Sequence, residues 1–422
     1  MTDKKSIVIL GAGFGGLKAA FDLNRALKQH KLTEQYSVTL VDRNSYHTYT
    51  PTLYEIATTS KETTNYIGLK QIVTFEIADL VKKTNIEFLK AEIKELDLIG
   101  GDIHFANGTN LKFHYLIIAL GAEANYFDIP GLKENSIALK TFVDALKIRD
   151  KILDVMSSGK SRVKIVVGGG GSAGVELAGE LQEWLCELKE EIRGCDSEVS
   201  IIEASPTVLP GFDPRIISHA QKRLKKLGVR VLNNETIDRV LPEKVVLKSR
   251  IEISYDVLVW TGGVKASSLI SPLPLKIERR GRVEVAGGME CLPQTPDLKL
   301  YGRIYGLGDS ICFYDPVSKK PMPGVARAAI DQAGVVAKNI ICNILGKAEH
   351  KKYIPMNYPY VIPIGGKWAL AKLGPVIIHG FGGWILKGLV ELNYLLSIMP
   401  FWRAVRVWIR GLLIFIKNDR LG

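Results

Sequence analysis

Ile7-Val8-Ile9-Leu10-Gly11-Ala12-Gly13-Phe14-Gly15-Gly16 joins an unbroken apolar run to a glycine-rich turn. The run reads as a short core strand, and a helix is predicted from about Gly15 to Gln29. Gly11 permits the tight turn, Gly13 lets the backbone approach a pyrophosphate, and Gly16 lets the helix pack on the strand. Ala12, Phe14 and Gly15 complete the turn. A helix starting there aims free amides and the positive end of its dipole at phosphates. The next strand, Ser37 to Val41, ends in Asp42, spaced to hold ribose hydroxyls.

A second copy follows at Val163-Lys164-Ile165-Val166-Val167-Gly168-Gly169-Gly170-Gly171-Ser172-Ala173-Gly174-Val175-Glu176. Gly169, Gly171 and Gly174 carry the spacing, although the extra Gly168 leaves the register open by one residue. The strand Ser200-Ile201-Ile202 ends in Glu203, whose carboxylate accepts from a ribose 2′-hydroxyl and repels a 2′-phosphate. No arginine follows in Ala204-Ser205-Pro206, so NADH is expected rather than NADPH. Glu176 and Glu180 share a helix face, with Glu176 in the first turn after the phosphate loop. A later strand, Val257 to Trp260, runs into Gly262 and Gly263, which can pass close to a nicotinamide. One such fingerprint is weak evidence. Two of them, each between strand and helix and each followed by an acid, point to a protein that passes electrons between two dinucleotides.

The first site has the marks of a flavin site. Arg43-Asn44-Ser45-Tyr46-His47-Thr48-Tyr49-Thr50-Pro51-Thr52-Leu53-Tyr54-Glu55 is a polar, aromatic loop suited to lying along an isoalloxazine, with Arg43, His47 and Pro51 as candidate contacts. Leu116 to Gly121 is the strand and turn at which such chains leave a flavin domain, which makes Ala119 and Gly121 candidates. Ile304 to Asp309 reads as the return, with Gly308 and Asp309 placed for a ribityl hydroxyl or the pyrophosphate. Ile93 and Ala326 are added to the cofactor-binding set.

The chain of 422 residues has room for two or three domains, and its 40 glycines suit an α/β protein with many tight turns. Five cysteines, Cys186, Cys195, Cys291, Cys312 and Cys342, form no C-x-x-C and no paired framework. That pattern argues for a reducing setting and against a dithiol reductase. No signal peptide is read at Met1 to Lys5, and no metal site is expected. The formal charge of +12 fits nucleic acid, an anionic membrane or an anionic cofactor.

Across nearly its whole length the sequence resembles the type II NADH dehydrogenases, single-subunit NADH:quinone oxidoreductases of the two-dinucleotide-binding flavoprotein group. The match is carried by Gly11 to Gly16, Tyr46 to Thr58, Ile129-Pro130-Gly131 with Phe142 to Leu146, Gly169 to Glu180 and Glu203 to Pro206. It continues in Gly263-Val264-Lys265-Ala266, Gly308-Asp309 and Ala326 to Gln332. One departure stands beside the flavin: the family usually shows Ala-Gln-x-Ala where this chain has Ala326-Arg327-Ala328-Ala329. A cationic Arg327 would stabilise an anionic reduced flavin or semiquinone. Leu120 and Thr261-Gly262 also replace small residues at their turns. The resemblance implies FAD and NADH as cofactors, a membrane quinone as electron acceptor, and no proton pumping. Glu176, Arg327 and Gln332 are the implied catalytic set, with Glu176 and water as proton donors to the quinone.

The C-terminal stretch begins with two short strands, Tyr358 to Ile364 and Lys367 to Leu373, joined at Gly365-Gly366. After Gly380 two apolar segments follow, broken by Lys387 and Glu391, which are four apart and placed to meet on one face. Arg403, Arg406 and Arg410 then fall at helical spacing, with Trp384, Trp402 and Trp408 as candidate interface anchors. Neither segment is a clean run long enough to span a bilayer. Both read as amphipathic helices lying on one leaflet, unless they pack on the flavin domain or a second copy.

The expectation is therefore an α/β fold: two Rossmann-like, glutathione-reductase-like dinucleotide-binding domains plus a C-terminal amphipathic helical membrane-docking region. The expected divisions are 1–145 and 296–350 for the FAD domain, 146–295 for the NADH domain and 351–422 for the β-hairpin and docking helices. Expected partners are a membrane quinone, an anionic lipid surface and a second copy in a homodimer, with no nucleic acid. The expected location is the cytoplasmic face of the cell membrane. Two alternatives remain: a sulfide:quinone oxidoreductase, with Cys312 as its nearest sulfur carrier, and a membrane-bound redox sensor without quinone turnover.

Overall fold

The computed structural model describes residues 4–160, 162–188, 197–298, 300 and 302–418. It forms two compact units: Met1–His47, Phe75–Glu123 and Val264–Tyr358 make the first, and Thr48–Thr74, Ala124–Gly263 and Pro359–Gly422 the second. The chain thus divides at 123/124 and 263/264, against the expected 145/146 and 295/296, and the C-terminal segment belongs to the second unit.

The central sheets of the two units share one spatial arrangement of strands, although the edge strand comes last in the chain in the first and first in the second. In the first, five parallel strands run in the order Ile304–Gly306, Tyr115–Ile118, Lys5–Leu10, Tyr36–Asp42, Ile86–Lys90. In the second the order is Ile137–Ala138, Val257–Trp260, Val163–Gly168, Ser197–Glu203, Arg230–Asn233. In both, the strand carrying the glycine turn lies in the middle. Parallel sheets are buried on both faces, hence the apolar sequence Ile7-Val8-Ile9-Leu10, all of it buried. Each unit adds a three-stranded antiparallel sheet: Ile93–Asp97, Asp102–Phe105 and Asn110–Lys112 in the first; Ile237–Leu241, Lys244–Leu247 and Glu252–Ser254 in the second.

Local sequence sets the helix ends. The Phe142–Ser157 helix opens on a capping box, in which Thr141 Oγ1 accepts from Asp144 N–H at 3.1 Å and Asp144 accepts from Thr141 N–H at 2.9 Å. The Pro214–Leu227 helix has Asp213 as its cap, proline at its first position and left-handed Gly228 at its end.

The C-terminal strands form a three-stranded sheet, Tyr360–Pro363, Ala369–Leu373 and Val376–Gly380, one strand more than expected. Its tight turn has Gly365 and Gly366 at positive φ and is tied to the unit by a buried arginine. Arg223 donates to the carbonyls of Ile364 at 3.0 Å and Gly365 at 2.9 Å, and to Glu183 at 2.6 Å. Glu180 is buried and accepts from the Gly366 N–H at 3.2 Å, so this carboxylate serves the turn. Two helices follow, Phe381–Ile398 and Phe401–Asn418. Cys291, Cys312 and Cys342 are free thiols, whereas Cys186 is disulfide-bonded, which corrects the reading of five unpaired cysteines.

Candidate active site

The two glycine turns are built alike. Gly11 and Gly169 both sit at positive φ, 103° and 105°. A Cβ on Gly11 would lie 2.3 Å from the Ala119 carbonyl oxygen, and one on Gly169 would lie 2.4 Å from Gly262 Cα. Gly16 and Gly174 are closed by their own turns, with virtual Cβ atoms 1.8 Å from Gly11 O and 1.9 Å from Gly169 O. Gly13 and Gly171 face open space. Thus one glycine turns, one lies open and one packs, twice over. Gly168 is the last residue of its strand, which places the turn at Gly169 and removes the one-residue ambiguity. The cradles fit dinucleotides: at the Phe14–Gln29 helix no side chain caps the N-terminus, leaving amides free for a pyrophosphate.

The strand-end acids have a role the sequence did not disclose. Asp42 accepts from Ala12 N–H and from Asn44 N–H, both at 2.8 Å. Glu203 accepts from Gly170 N–H at 2.6 Å and Ser205 N–H at 2.7 Å. Each carboxylate therefore locks the second residue of its glycine turn and the residue two beyond itself. A carboxylate has about four acceptor directions, so both retain capacity for ribose hydroxyls.

His47 is buried against the first turn, not laid open in a loop. Its Nδ1–H donates to the Ala12 carbonyl at 2.8 Å, and its ring meets Phe14 edge-on at 5.3 Å. Burial pushes its pKa down to about 4, so the ring is neutral. Ala12 is thus gripped at its N–H by Asp42 and at its C=O by His47. Arg43 is exposed. Ile93 opens a strand of the antiparallel sheet of the first unit. Ala119 is buried, and Gly121, at positive φ, accepts from Ser310 Oγ at 3.2 Å.

Gly308 and Asp309 lie in a single 3-10 turn after the Ile304–Gly306 strand. Gln332 is buried and accepts from Gly308 N–H at 2.8 Å. Its amide holds the turn that presents Asp309, which is a positioning role. Ala326 opens the Ala326–Ile344 helix. Arg327 is 55% exposed and pairs with Asp331 at 3.4 Å, one turn along. In the second unit Gly262 is compelled by Trp260, whose ring would lie 2.3 Å from a Cβ, and Gly263 accepts from Asn125 N–H at 3.0 Å. Pro51 is exposed in a 3-10 turn of that unit.

Glu176 lies on the Ser172–Leu188 helix, next to a buried acid cluster that the sequence did not reveal. The Leu53–Ala57 helix, within the stretch read as a flavin-facing loop, is buried throughout and carries Glu55. Lys387 reaches back to hydrogen-bond Glu55, and it also acts electrostatically on Glu391, one turn along its own helix. The Lys387 ammonium also lies 5.4 Å from the Tyr54 ring centre and 5.5 Å from that of Phe415. Burial raises the Glu176 carboxyl to about 8, with Lys387 opposing and Glu55 reinforcing the shift. Glu391 rises to about 7 for the same reasons, and burial also raises Glu55.

The two C-terminal helices leave a mixed apolar and basic face uncovered. Phe381, Ile385, Leu389, Phe401, Trp402, Ile409, Leu413 and Ile416 are exposed, as are Arg406 and Arg410. An open groove of about 780 Å³ is lined by Trp402, Arg406, Arg410, Leu413 and Lys417 with Thr63 and Thr64. Of the three expected tryptophan anchors, Trp402 alone is exposed. Trp384 is buried, and Trp408 donates to the Gly388 carbonyl at 2.8 Å, joining the two helices. Among the described residues, no helix is long and apolar enough to cross a membrane.

Two matched nucleotide cradles on one chain define a two-dinucleotide flavoprotein, and residues 5–333 match the pyridine nucleotide-disulphide oxidoreductase family. A type II NADH:quinone oxidoreductase of Mycobacterium tuberculosis is 30% identical, the alignment covering 93% of this chain and 84% of that one. The chain belongs to the pyridine nucleotide-disulphide oxidoreductases and, within them, to the type II NADH:quinone oxidoreductase family. The fold is also that of NDH2 from Plasmodium falciparum, solved in complex with NADH (TM-score 0.83, 21% identity, 99% of this chain and 98% of that one). Sulfide:quinone oxidoreductase from Aquifex aeolicus shares it at a TM-score of 0.77, with 19% identity over 98% of this chain and 96% of that one.

Proposed function

We infer that the protein is an FAD-dependent, non-pumping NADH:quinone oxidoreductase. The observation that carries this reading is the pair of glycine cradles, each closed by a strand-end carboxylate. FAD belongs to the cradle at Gly11, Gly13 and Gly16, with Asp309 toward its ribityl chain. NADH belongs to the cradle at Gly169, Gly171 and Gly174, with Glu203 at the ribose hydroxyls. Bound FAD supplies a two-electron relay from hydride donor to quinone. The protein supplies alignment, since hydride transfer needs close contact and little acid–base help. Quinol formation does need a proton, and Glu176, raised to about 8, holds one at neutral pH.

The C-terminal helices give access to a lipid-borne quinone. We propose that Phe401, Trp402 and Leu413 enter one leaflet while Arg406 and Arg410 meet anionic headgroups, on the cytoplasmic face where NADH is supplied. A sulfide:quinone reaction is disfavoured because Cys291 and Cys312 are buried and burial pushes both thiols up. Steady-state NADH oxidation with and without a quinone tests the assignment. Oxidation stimulated by quinone is expected. NADH that reduces the flavin while quinone fails to reoxidise it leaves the sensor reading instead.

A further inference from the structure

In the second unit, one stretch of the uncovered C-terminal face is concave. Its long wall is the Phe401–Asn418 helix, where Trp402, Arg406, Arg410, Leu413 and Lys417 recur at steps of three or four residues and so share a face. Thr63 and Thr64, just ahead of the Tyr66–Val73 helix, form the other wall. The walls are pinned together. Asn418 accepts from the Ser60 N–H at 3.0 Å and donates to the Thr58 carbonyl at 3.2 Å, and Arg410 donates to Gln71. Gly411 sits where the two helices meet, with a virtual Cβ 3.8 Å from Ile72 Cβ. The groove of about 780 Å³ is thus a fixed part of the folded unit.

Its lining carries two chemistries. Arg406, Arg410 and Lys417 supply three positive charges, and among the described residues no carboxylate lines the groove. Trp402 and Leu413 supply apolar surface, 78% and 62% exposed, with Ile409 between them. The gathered cations lack counter-charge and the apolar trough lacks cover; one molecule with an anionic head and an apolar tail satisfies both. A free anion leaves the trough exposed. A second copy of this chain docked by the same face sets its three cations against these three. From Trp402 to Lys417 the helix rises about 22 Å, enough for a headgroup and for a chain as deep as one leaflet, about 15 Å.

We propose that this groove binds one anionic phospholipid per chain, its phosphodiester held by Arg406, Arg410 and Lys417 and one acyl chain laid along Leu413, Ile409 and Trp402. This rests on the docking reading above and goes a step past it. Docking needs only a surface that touches many lipids in turn, whereas the groove retains one, which leaves the membrane with the protein. Arg410 remains able to bind it, because a guanidinium has about five N–H donors and Gln71 occupies only part of them.

The test uses the full-length, FAD-loaded protein, stripped of lipid and held in mild detergent. Dioleoyl phosphatidylglycerol, dioleoyl phosphatidylcholine and inorganic phosphate are titrated in turn, and bound molecules are counted by native mass spectrometry. Phosphatidylglycerol should saturate at one per chain and bind at least about tenfold more tightly than phosphatidylcholine. Arg406→Gln with Lys417→Gln should weaken it about 30-fold at an unchanged unfolding temperature, and Arg406→Lys with Lys417→Arg should restore most of that. Leu413→Trp, which fills the trough and keeps every charge, should weaken it about tenfold. Binding without a plateau, or phosphatidylcholine held as tightly as phosphatidylglycerol, overturns the site in favour of surface adsorption. Inorganic phosphate that displaces the lipid marks a free-anion site, and a dimer that Leu413→Trp splits marks a self-association face; either overturns it too. Failure of the wild type to pellet with mixed phosphatidylcholine and phosphatidylglycerol vesicles overturns the docking reading instead, and the count of bound lipid still decides the groove.

Discussion

Gly174→Ala and Gly171→Ala each add one methyl group, at sites three residues apart, and the structure assigns them opposite consequences. At Gly174 the new Cβ would start 1.9 Å from Gly169 O and 2.7 Å from Thr261 Oγ1. Reaching 3.0 Å, the closest approach real Cβ atoms make, needs a retreat of about 1.1 Å from a backbone oxygen. That oxygen cannot rotate away, because the turn is pinned by Gly169 N–H to Ile202 O at 2.8 Å and Thr261 Oγ1 to Gly169 O at 3.0 Å. The helix must lift from its strand, an overpacking cost of about 3 kcal/mol. At Gly171 the Cβ meets nothing within 4 Å, so stability should hold or rise slightly. The same empty space is where a pyrophosphate would approach, so NADH should bind about tenfold more weakly, roughly 1.4 kcal/mol. Thermal unfolding and the NADH concentration dependence of flavin reduction separate the two effects. Gly174→Ala should lower the unfolding midpoint by about 5 °C or more. A Gly174→Ala protein as stable as wild type, or a Gly171→Ala protein with unchanged NADH affinity, would refute the cradle.

Glu203→Gln weakens the grip on Gly170 and Ser205 and removes the charge that repels a 2′-phosphate, so the kcat/KM preference for NADH over NADPH should narrow by about tenfold. A wild type that already prefers NADPH sinks that reading. Docking is better probed at exposed residues than by truncation, because removing residues from Phe381 on would strip buried Trp384 and Leu395 from the second unit. The double variant Trp402→Glu and Leu413→Glu should stay folded, keep NADH-driven flavin reduction and fail to pellet with anionic vesicles. Unchanged pelleting would place the membrane contact elsewhere.

The turning and packing glycines were legible because each answers to a hard steric limit, and hard limits leave a mark at fixed spacing. Gly11, Gly16, Gly169 and Gly174 admit no Cβ, so residue type alone reports the backbone. The start of the C-terminal helices after Gly380 was legible for a similar reason: that residue holds φ at 78° before Phe381. Side chains that work at long range leave no such mark. Spacing puts Lys387 and Glu391 on one helix face, as the four-residue rule requires, but spacing gives no sign that Lys387 also hydrogen-bonds Glu55, 332 residues away in sequence. Helical periodicity fixes which residues share a face and says nothing of what covers it. Hence Trp384 and Trp408 read as interface anchors although protein covers them, and Trp402, on an uncovered face, reads the same. The 43–55 stretch failed in the other direction, because its polar composition hid a buried helix at Leu53–Ala57. A glutamate in so short an apolar turn is costly unless a cation arrives from elsewhere, and that cost is a signal available in sequence: Leu53-Tyr54-Glu55-Ile56-Ala57 holds one charge among four apolar residues, and Lys387 is the one cation in the apolar Phe381–Ile398 helix. A lone acid in one apolar segment and a cation in another are cheap partners for each other, which makes the pair inferable wherever the fold brings the segments together.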